Sequence, residues 1–327
     1  MNRLDEILFD PPQISTLAIN QIRLEQQGGQ GLKLGLPQLD AHFITARPGK
    51  FIGVLAQTSH GKSSWMNFTA GNMTKQLVDD EIGIYATWED TVEDFGITDL
   101  SSVSGVPMAS VYSGSATEAD FKKLMSAAAQ RATSPLWVVG HSDSFKTASP
   151  RLTMTDILLV MENIIEKQKK NVRFIMFDYL QLVNLSDMRK DDRRVQFNDV
   201  IQAMRDLAKG YGLTAFCATQ VKREVSDRKW SQPQINDAME TSGFEHACDA
   251  AISLWNVHRS QGWELGKVVQ EGRNGELDIT VTKELMLIET LKQKKGDAKI
   301  VQAFDFIPEY NHFTEYNGAT KYRKGRA

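Results

Sequence analysis

The chain has 327 residues, 41% hydrophobic, 24% charged and 9% aromatic, a profile that excludes disordered, collagen-like and coiled-coil classes. Lys plus Arg number 38 against 41 Asp plus Glu, so a formal charge of -3 gives no global positive field, and any nucleic-acid binding must use local patches. Two cysteines, Cys217 and Cys248, and six scattered histidines offer neither a disulfide framework nor paired metal-ligand spacing; acids near the N-terminus and short apolar runs imply a cytoplasmic protein without a membrane span.

In chain order, Pro11-Pro12 precede Ile14, Leu17, Ala18 and Ile22 at helical spacing, and Gly28-Gly29 stop the pattern. A lone helix of this length is marginal in water, so it has to dock on its own core or on a neighbouring subunit. From Phe51 the chain alternates short apolar runs with helical patterns. FIGVLA (51–56) reads as a strand, followed by a glycine turn and a helix from about Lys62; IGIYATW (82–88) and LWVVG (136–140) read as further strands. A helix over about 155–170 starts at Thr153 with Asp156 three residues on, and VRFIMFD (172–178) follows it as a strand. A helix near 197–209 with Val200, Met204, Leu207 and Ala208 on one face leads to the strands LTAFCATQ (213–220) and AAISLWN (250–256), and about 264–307 reads as β-hairpin material. The fold class is α/β, a mostly parallel sheet flanked by helices. With no internal repeat and no linker after Gly31, the expected organisation is an arm over 1–30, one core over 31–317 and a basic tail over 318–327.

The segment Ala56-Gln57-Thr58-Ser59-His60-Gly61-Lys62-Ser63-Ser64 falls between a predicted strand and a predicted helix. Small residues let backbone N–H groups curl around phosphate oxygens at a helix N-terminus, a Lys reaches the outer phosphates and a hydroxyl serves Mg²⁺. Ser59, His60, Gly61, Lys62, Ser63 and Ser64 are the expected phosphate-binding set, with Ala56 standing where the general pattern has its first Gly. Asp178 ends an apolar strand, where a carboxylate can organise the metal together with Ser63. Hydrolysis also needs a group to orient water: Glu89 follows the strand over 82–88, with Asp90 as its rival. Ser59 and Lys62 also spell S-x-x-K, and Gly140-His141-Ser142 begins something like a nucleophile elbow, but neither has its partner residues.

Taken together, AQTSHGKSS, WED, FDYLQL (177–182), ATQVKRE (218–224) and DAMETSGFEHACD (237–249), in this order, resemble the RecA-type ATPase domain of DnaB-family replicative helicases over roughly 31–300. Gly35-Leu36-Pro37-Gln38-Leu39-Asp40 followed by Pro48-Gly49-Lys50 is similar to that family's entry into its first core strand, and the family also carries Ala at the position of Ala56. The resemblance implies a RecA-like P-loop ATPase core, with Lys62 on phosphate, Glu89 as catalytic base, Asp178 as the Walker B acid and Gln220 as the γ-phosphate sensor that signals to the DNA-contacting loops. By the same resemblance, loops near 184–194 and 222–243 face single-stranded DNA, through Lys222, Arg223, Arg228 and Lys229 and through Glu240, Thr241, Ser242 and Gly243, where Met239 replaces the family's Arg. Lys292 and Lys294 occupy the family's K-x-R finger, supplied in trans to a neighbouring site, so either Lys294 stands for the finger Arg, Arg273 serves instead, or the trans site is weak. The arm over 13–27 is similar to the family's linker helix, which packs on the adjacent subunit. About thirty residues precede the core, where full-length relatives carry a primase-docking domain.

The function that the resemblance implies is an ATP- and Mg²⁺-dependent ring helicase, a homo-oligomer expected to be hexameric, that moves on single-stranded DNA and separates duplex, with a loader or primase as candidate partners. The alternatives are a RecA-type strand-binding ATPase and a nucleotide-switched assembly or loader protein without unwinding activity. A small-molecule kinase is disfavoured because no acceptor-binding lid is recognisable after the phosphate loop.

Overall fold

Asp10 accepts the backbone N–H of Gln13, whose side chain accepts the Asp10 N–H in return, and the two prolines fill the first turn, so α1 (Pro11–Gln26) begins as its sequence dictates. In this computed structural model, residues 8–27, 29, 31–144, 152–180, 183, 193–228, 230–239, 243–260, 262–269, 277–316 and 321–322 are described. None of the residues of α1 is buried: Ile14, Leu17 and Ile22 stand 56%, 54% and 52% exposed. Docking of the arm on its own core is therefore not what the fold adopts; an ion pair from Glu25 to Arg47 ties its C-terminal end to the core.

The short α2 (Pro37–Asp40) leads into β1 (Phe51–Ala56), α3 (Lys62–Thr74) and β2 (Glu81–Thr87), followed by α4 (Val92–Ser104), α5 (Met108–Tyr112), α6 (Glu118–Arg131) and β3 (Leu136–Val139). The helices α4, α5 and α6 have no counterpart among the elements expected from the sequence. Their signals are nevertheless present: Thr91 accepts from the Asp94 N–H, and Thr117 with Asp120 forms a reciprocal capping box. Beyond them come α7 (Met154–Glu162), β4 (Asn171–Asp178), α8 (Arg193–Tyr211), β5 (Thr214–Gln220), α9 (Gly243–Ala247) and β6 (Ala250–Asn256). The helix expected over 155–170 stops as α-helix at Glu162 and closes with a π-turn over Asn163–Lys167, while Thr153 and Asp156 form the expected cap. The last part holds the short β7 (Val268–Val269), β8 (Leu277–Thr280) and β12 (Lys321–Tyr322), and the hairpin β9 (Leu285–Gln293) and β10 (Ile300–Ile307), continued by β11 (His312–Glu315).

Nine strands form one sheet in the order β11-β10-β9-β6-β1-β5-β4-β2-β3. The six from β6 to β3 are mutually parallel, and β9, β10 and β11 extend the β6 edge in antiparallel fashion. The central parallel strands are buried on both faces, which is why they read as apolar runs without alternation. One face is covered by α7, α8 and α9 through Met161, Val200, Met204, Leu207 and Phe244; the other by α3 and the entry segment through Trp65, Met66, Leu34 and Phe43. Each such side chain contributes about 1.5–3 kcal/mol relative to exposure. A third cluster around Trp255, with Trp230 and Trp263 packed on it, lies beside the β6–β9 pair. The register brings the ends of the parallel strands level: Ala56 pairs with Gln220, and Thr87 with Asp178. Loops leaving β1, β2, β4 and β5 therefore meet at one edge of the sheet. No helix among the described residues is long and apolar enough to cross a membrane.

Candidate functional site

The turn after β1 is shaped by two left-handed residues, Ser59 at φ 64° and Gly61 at φ 81°. Gly61 is the N-cap of α3 and supplies no side-chain cap, so the first N–H groups of the helix are left for an anion. A Cβ at Gly61 would in addition sit 3.1 Å from Met286 Cε and Phe306 Cε1. Ala56 lies inside β1, fully buried and with no positive φ, so the first glycine of the general pattern has no conformational task here.

A cavity of about 360 Å³ opens over this turn. Its floor is the loop itself, through Gln57, Thr58, Ser59, Gly61, Lys62, Ser63 and Ser64; Glu89, Asp90 and Gln220 enter from neighbouring strand ends. The structure thus gathers most of the expected phosphate, base and sensor residues around one space. Asp178 sits beside it, 1% exposed; the Tyr85 hydroxyl donates to its Oδ2 at 2.7 Å, while its Oδ1 is buried without a hydrogen-bond partner among the described residues. A fixed carboxylate with one unsatisfied oxygen, close to a cavity that the Ser63 hydroxyl lines, fits a divalent cation. Lys62 Nζ lies 3.8 Å from the centre of the Tyr179 ring, and the Tyr179 hydroxyl is hydrogen-bonded with the side chain of Gln220. Tyr85 and Tyr179 are thus functional neighbours that sequence reasoning missed or left without a role. Arg259, Met108, Phe306 and Pro308 also line the cavity and were not foreseen, because they come from three parts of the chain remote from the motifs. Arg259 donates to the Ser59 carbonyl.

Burial lowers the Lys62 pKa, with Asp178 and then Glu89 opposing the shift. Loss of hydration in the cavity raises the Glu89 carboxyl, against the pull of Lys62 and with a push from Asp178. The same loss of hydration, followed by the charges of Asp178 and Glu89, raises Asp90 to about 6. Its neutral form is thus favoured by folding: that stabilisation is complete below the ordinary value of 3.8 and is lost as the pH rises through about 6. The Asp90→Asn chain should then melt above the wild type near pH 8 and lose the advantage as the pH falls toward about 4, as followed by thermal melts across that range. Equal melting temperatures at pH 8 would remove the electrostatic strain assigned to Asp90.

Other expected site residues fall elsewhere. His60 does not line the cavity; its buried Nδ1 accepts the N–H of Asn256 at 3.2 Å, and burial, with Arg259 nearby, lowers its pKa to about 4, so it braces the loop as a neutral ring. Arg228, expected to contact DNA, is held by Asp237 in a two-bond fork at 2.7 and 2.6 Å. Lys222 reaches the Asn236 carbonyl at 3.2 Å, and Arg223 is exposed in a short 3₁₀ turn. Gly243 opens α9. Lys229, Glu240, Thr241, Ser242 and Arg273, most of the 184–194 loop and most of the basic tail lie outside the described residues.

Lys292 and Lys294 stand at the opposite end of the sheet. Lys292 pairs in register with Ala251 near the start of β6 and donates to the Glu245 carbonyl at 2.6 Å. Lys294 Nζ lies 2.7 Å from Asp249 Oδ1, and the other Asp249 oxygen accepts the N–H of Phe51, the first residue of β1. The two lysines are therefore separated from their own chain's phosphate loop by the length of β1, roughly 20 Å at 3.3 Å per residue.

A sequence model of the DnaB-like helicase C-terminal domain matches residues 31–315. The replicative DNA helicase DnaC of Bacillus subtilis (strain 168) is 22% identical over 296 residues, covering 90% of this chain and 59% of that protein. The replicative DNA helicase DnaB of Leifsonia xyli subsp. xyli is 24% identical over 272 residues, covering 82% of this chain and 55% of its own. The chain thus spans less than two thirds of the length of these relatives. Among solved structures, one described as an ATPase domain gives a TM-score of 0.75 at 18% identity over 94% of this chain and 100% of that one. A DnaB-like replicative helicase, described with its interactions with primase, gives 0.74 at 18% identity over 93% of this chain and 66% of that one. At that identity the structural likeness speaks for the RecA-like fold. The family match speaks for more, because it runs from Gly31 to Glu315 through all nine strands of the sheet and every residue that lines the cavity: this chain belongs to the family of DnaB-like helicase C-terminal domains.

Proposed function

We propose that the chain is the motor of a replicative DNA helicase: it hydrolyses ATP with Mg²⁺, forms a hexameric ring and moves on single-stranded DNA to separate duplex. The observation that carries this reading is the convergence of Lys62, Ser63, Glu89 and Gln220 on one cavity, beside a buried Asp178 whose Oδ1 has no hydrogen-bond partner among the described residues. The open N–H groups at the start of α3 and Lys62 bind the phosphates. Ser63 and Asp178 hold Mg²⁺, which when bound neutralises charge that develops on the phosphate oxygens. Glu89 takes up the proton of the attacking water and orients it, as its raised pKa suits. Gln220, hydrogen-bonded with Tyr179 beneath Lys62, senses the outer phosphate and passes its presence to the segment that follows β5.

Two features favour a ring of copies. The apolar stripe of α1 is exposed along its length, so a neighbouring subunit is the surface that can cover it. Lys292 and Lys294, remote from their own cavity and held by the Glu245 carbonyl and Asp249, would exchange these contacts for the phosphates of a neighbour's site as fingers in trans. Single-stranded DNA would be held by the loops after β4 and β5, where Lys222 and Arg223 stand exposed.

The test is steady-state ATPase with and without single-stranded DNA, with light scattering on the same samples and unwinding of a forked duplex. Strong DNA stimulation by a closed oligomer that also unwinds the fork is the expected result. Nucleotide-dependent assembly with DNA-insensitive turnover would sink the motor reading in favour of a switched assembly protein. Binding and stimulation without unwinding would favour a strand-coating ATPase.

Tyr85 fixes the orientation of Asp178, so Tyr85→Phe should raise the half-saturating Mg²⁺ concentration for turnover by about 10–100-fold, with activity recovered at excess Mg²⁺. A titration of turnover against metal at fixed ATP decides it; an unchanged midpoint would show that Tyr85 only fills space.

A further inference from the structure

The segment that leaves β5 at Gln220 is braced as a closed loop. Val221 bridges to Ala238, Met239 N–H donates to the Gln220 carbonyl at 2.9 Å, and Lys222 N–H to the Asp237 carbonyl at 2.9 Å. Inside it, Arg228 grips Asp237 through two hydrogen bonds, and Ser231 Oγ donates to the Arg228 carbonyl at 2.8 Å. Ser231 and Gln232 are buried at 1% and 0% exposure, while Lys222 and Arg223 stand on its outer side. A loop cross-tied in this way moves as a body when one of its points is displaced.

One of those points is held by the phosphate loop. Gln57, the first residue after β1, lines the cavity and donates from Nε2 to the Ser231 carbonyl at 2.9 Å. Next to it, Trp230 packs edge-on against Trp255, with ring centres 4.6 Å apart; Trp255 adjoins Asn256, whose N–H is accepted by His60 of the same phosphate loop. Ser231 is buried, so when the backbone of the phosphate loop shifts around an occupant, breaking this bond strands a buried acceptor; following the shift preserves it.

We propose that Gln57 is a coupling residue: its hydrogen bond to Ser231 carries changes in the occupancy of the phosphate loop to the braced loop over 221–239, as a second line beside Gln220. The proposal rests on the reading of the cavity as a nucleoside triphosphate site and adds to it a residue that the motifs assign to no task. It makes the position of Lys222 and Arg223 depend on the nucleotide through the first residue of the phosphate loop as well as through the end of β5.

Hydrogen exchange of the full chain, read by mass spectrometry with and without saturating Mg-ADP and a non-hydrolysable ATP analogue, tests this. Occupancy is checked separately by a fluorescent nucleotide titration. In the wild type, nucleotide should protect 57–64 and change exchange over 221–239 by about threefold or more. Gln57→Met, and Gln57→Leu as a second uncharged variant without a donor, should protect 57–64 once nucleotide is raised to the saturation that the fluorescent titration shows for each, yet lose the change over 221–239. Gln57→Arg, which retains an N–H donor, should keep it. A merely structural bond would lower the melting temperature and leave the nucleotide-dependent difference intact, and that outcome overturns the proposal. So does a wild-type response confined to 57–64. No protection of 57–64 in the wild type would instead bring down the nucleotide reading itself, and the coupling with it.

Discussion

Replacing Glu89 by Gln should lower steady-state ATP turnover by about 10²–10⁴-fold, the usual contribution of a positioned general base, while nucleotide binding persists. The exchange keeps the shape of the side chain at the cavity wall and removes its capacity to take a proton. It also removes one negative charge near Lys62 and Asp178, and hence part of the repulsion that meets an incoming triphosphate. Binding of a fluorescent nucleotide should accordingly be as tight as in the wild type or tighter. Rapid-quench measurement of a single turnover separates the chemical step from product release. Turnover within about threefold of wild type would transfer the role to Asp90, which lines the same cavity and whose pKa is about 6.

The second large effect belongs to Lys294. Lys294→Ala should cost about a hundredfold or more in turnover, less than the roughly 10³–10⁵-fold known for arginine fingers, since an ammonium lacks the planar fork. No direct contact within one chain can produce such a loss, because Lys294 sits at the level of Phe51 and the phosphate loop begins beyond Ala56. The trans assignment has its own signature in mixing. Neither Glu89→Gln nor Lys294→Ala is expected to turn over alone. Mixed oligomers bring an intact Glu89 of one subunit against an intact Lys294 of the next, and activity should reappear. A titration of one variant against the other, followed by phosphate release, measures it. Absence of recovery in oligomers proven to be mixed would place the effect of Lys294 in its ion pair with Asp249 and the start of β1.

The parallel core was legible because its physics is local. Strands buried on both faces must be short apolar runs, and FIGVLA, VRFIMFD, TAFCATQ and AAISLWN are such runs with little else they could be. The phosphate loop was legible for a related reason: its task depends on backbone N–H groups at a helix start, which only a narrow set of neighbouring residues permits. The capping box of α7 stands out in the sequence because a strongly apolar helix follows it. The one-sided cap of α4 and the reciprocal box of α6 carry the same Thr-x-x-Asp signal but open less apolar helices, so they stand out less.

Contacts across the sheet were not legible. That Tyr85 holds Asp178 and that Gln57 reaches Ser231 are set by register and strand order, over separations of 93 and 174 residues, and that Arg228 forks onto Asp237 is set by how the loop after β5 folds back on itself. A basic residue in a loop looks the same in sequence whether its charge is free or forked onto a carboxylate. The sequence by itself determined the fold class, the phosphate loop and the strand-end acids, because hydrophobic periodicity and backbone geometry act over a few residues. The tertiary structure alone decided which oxygen of Asp178 is left open, which cations remain available and that Lys292 and Lys294 lie away from their own cavity, because hydrogen-bond partners and distances are fixed only when the strands pair.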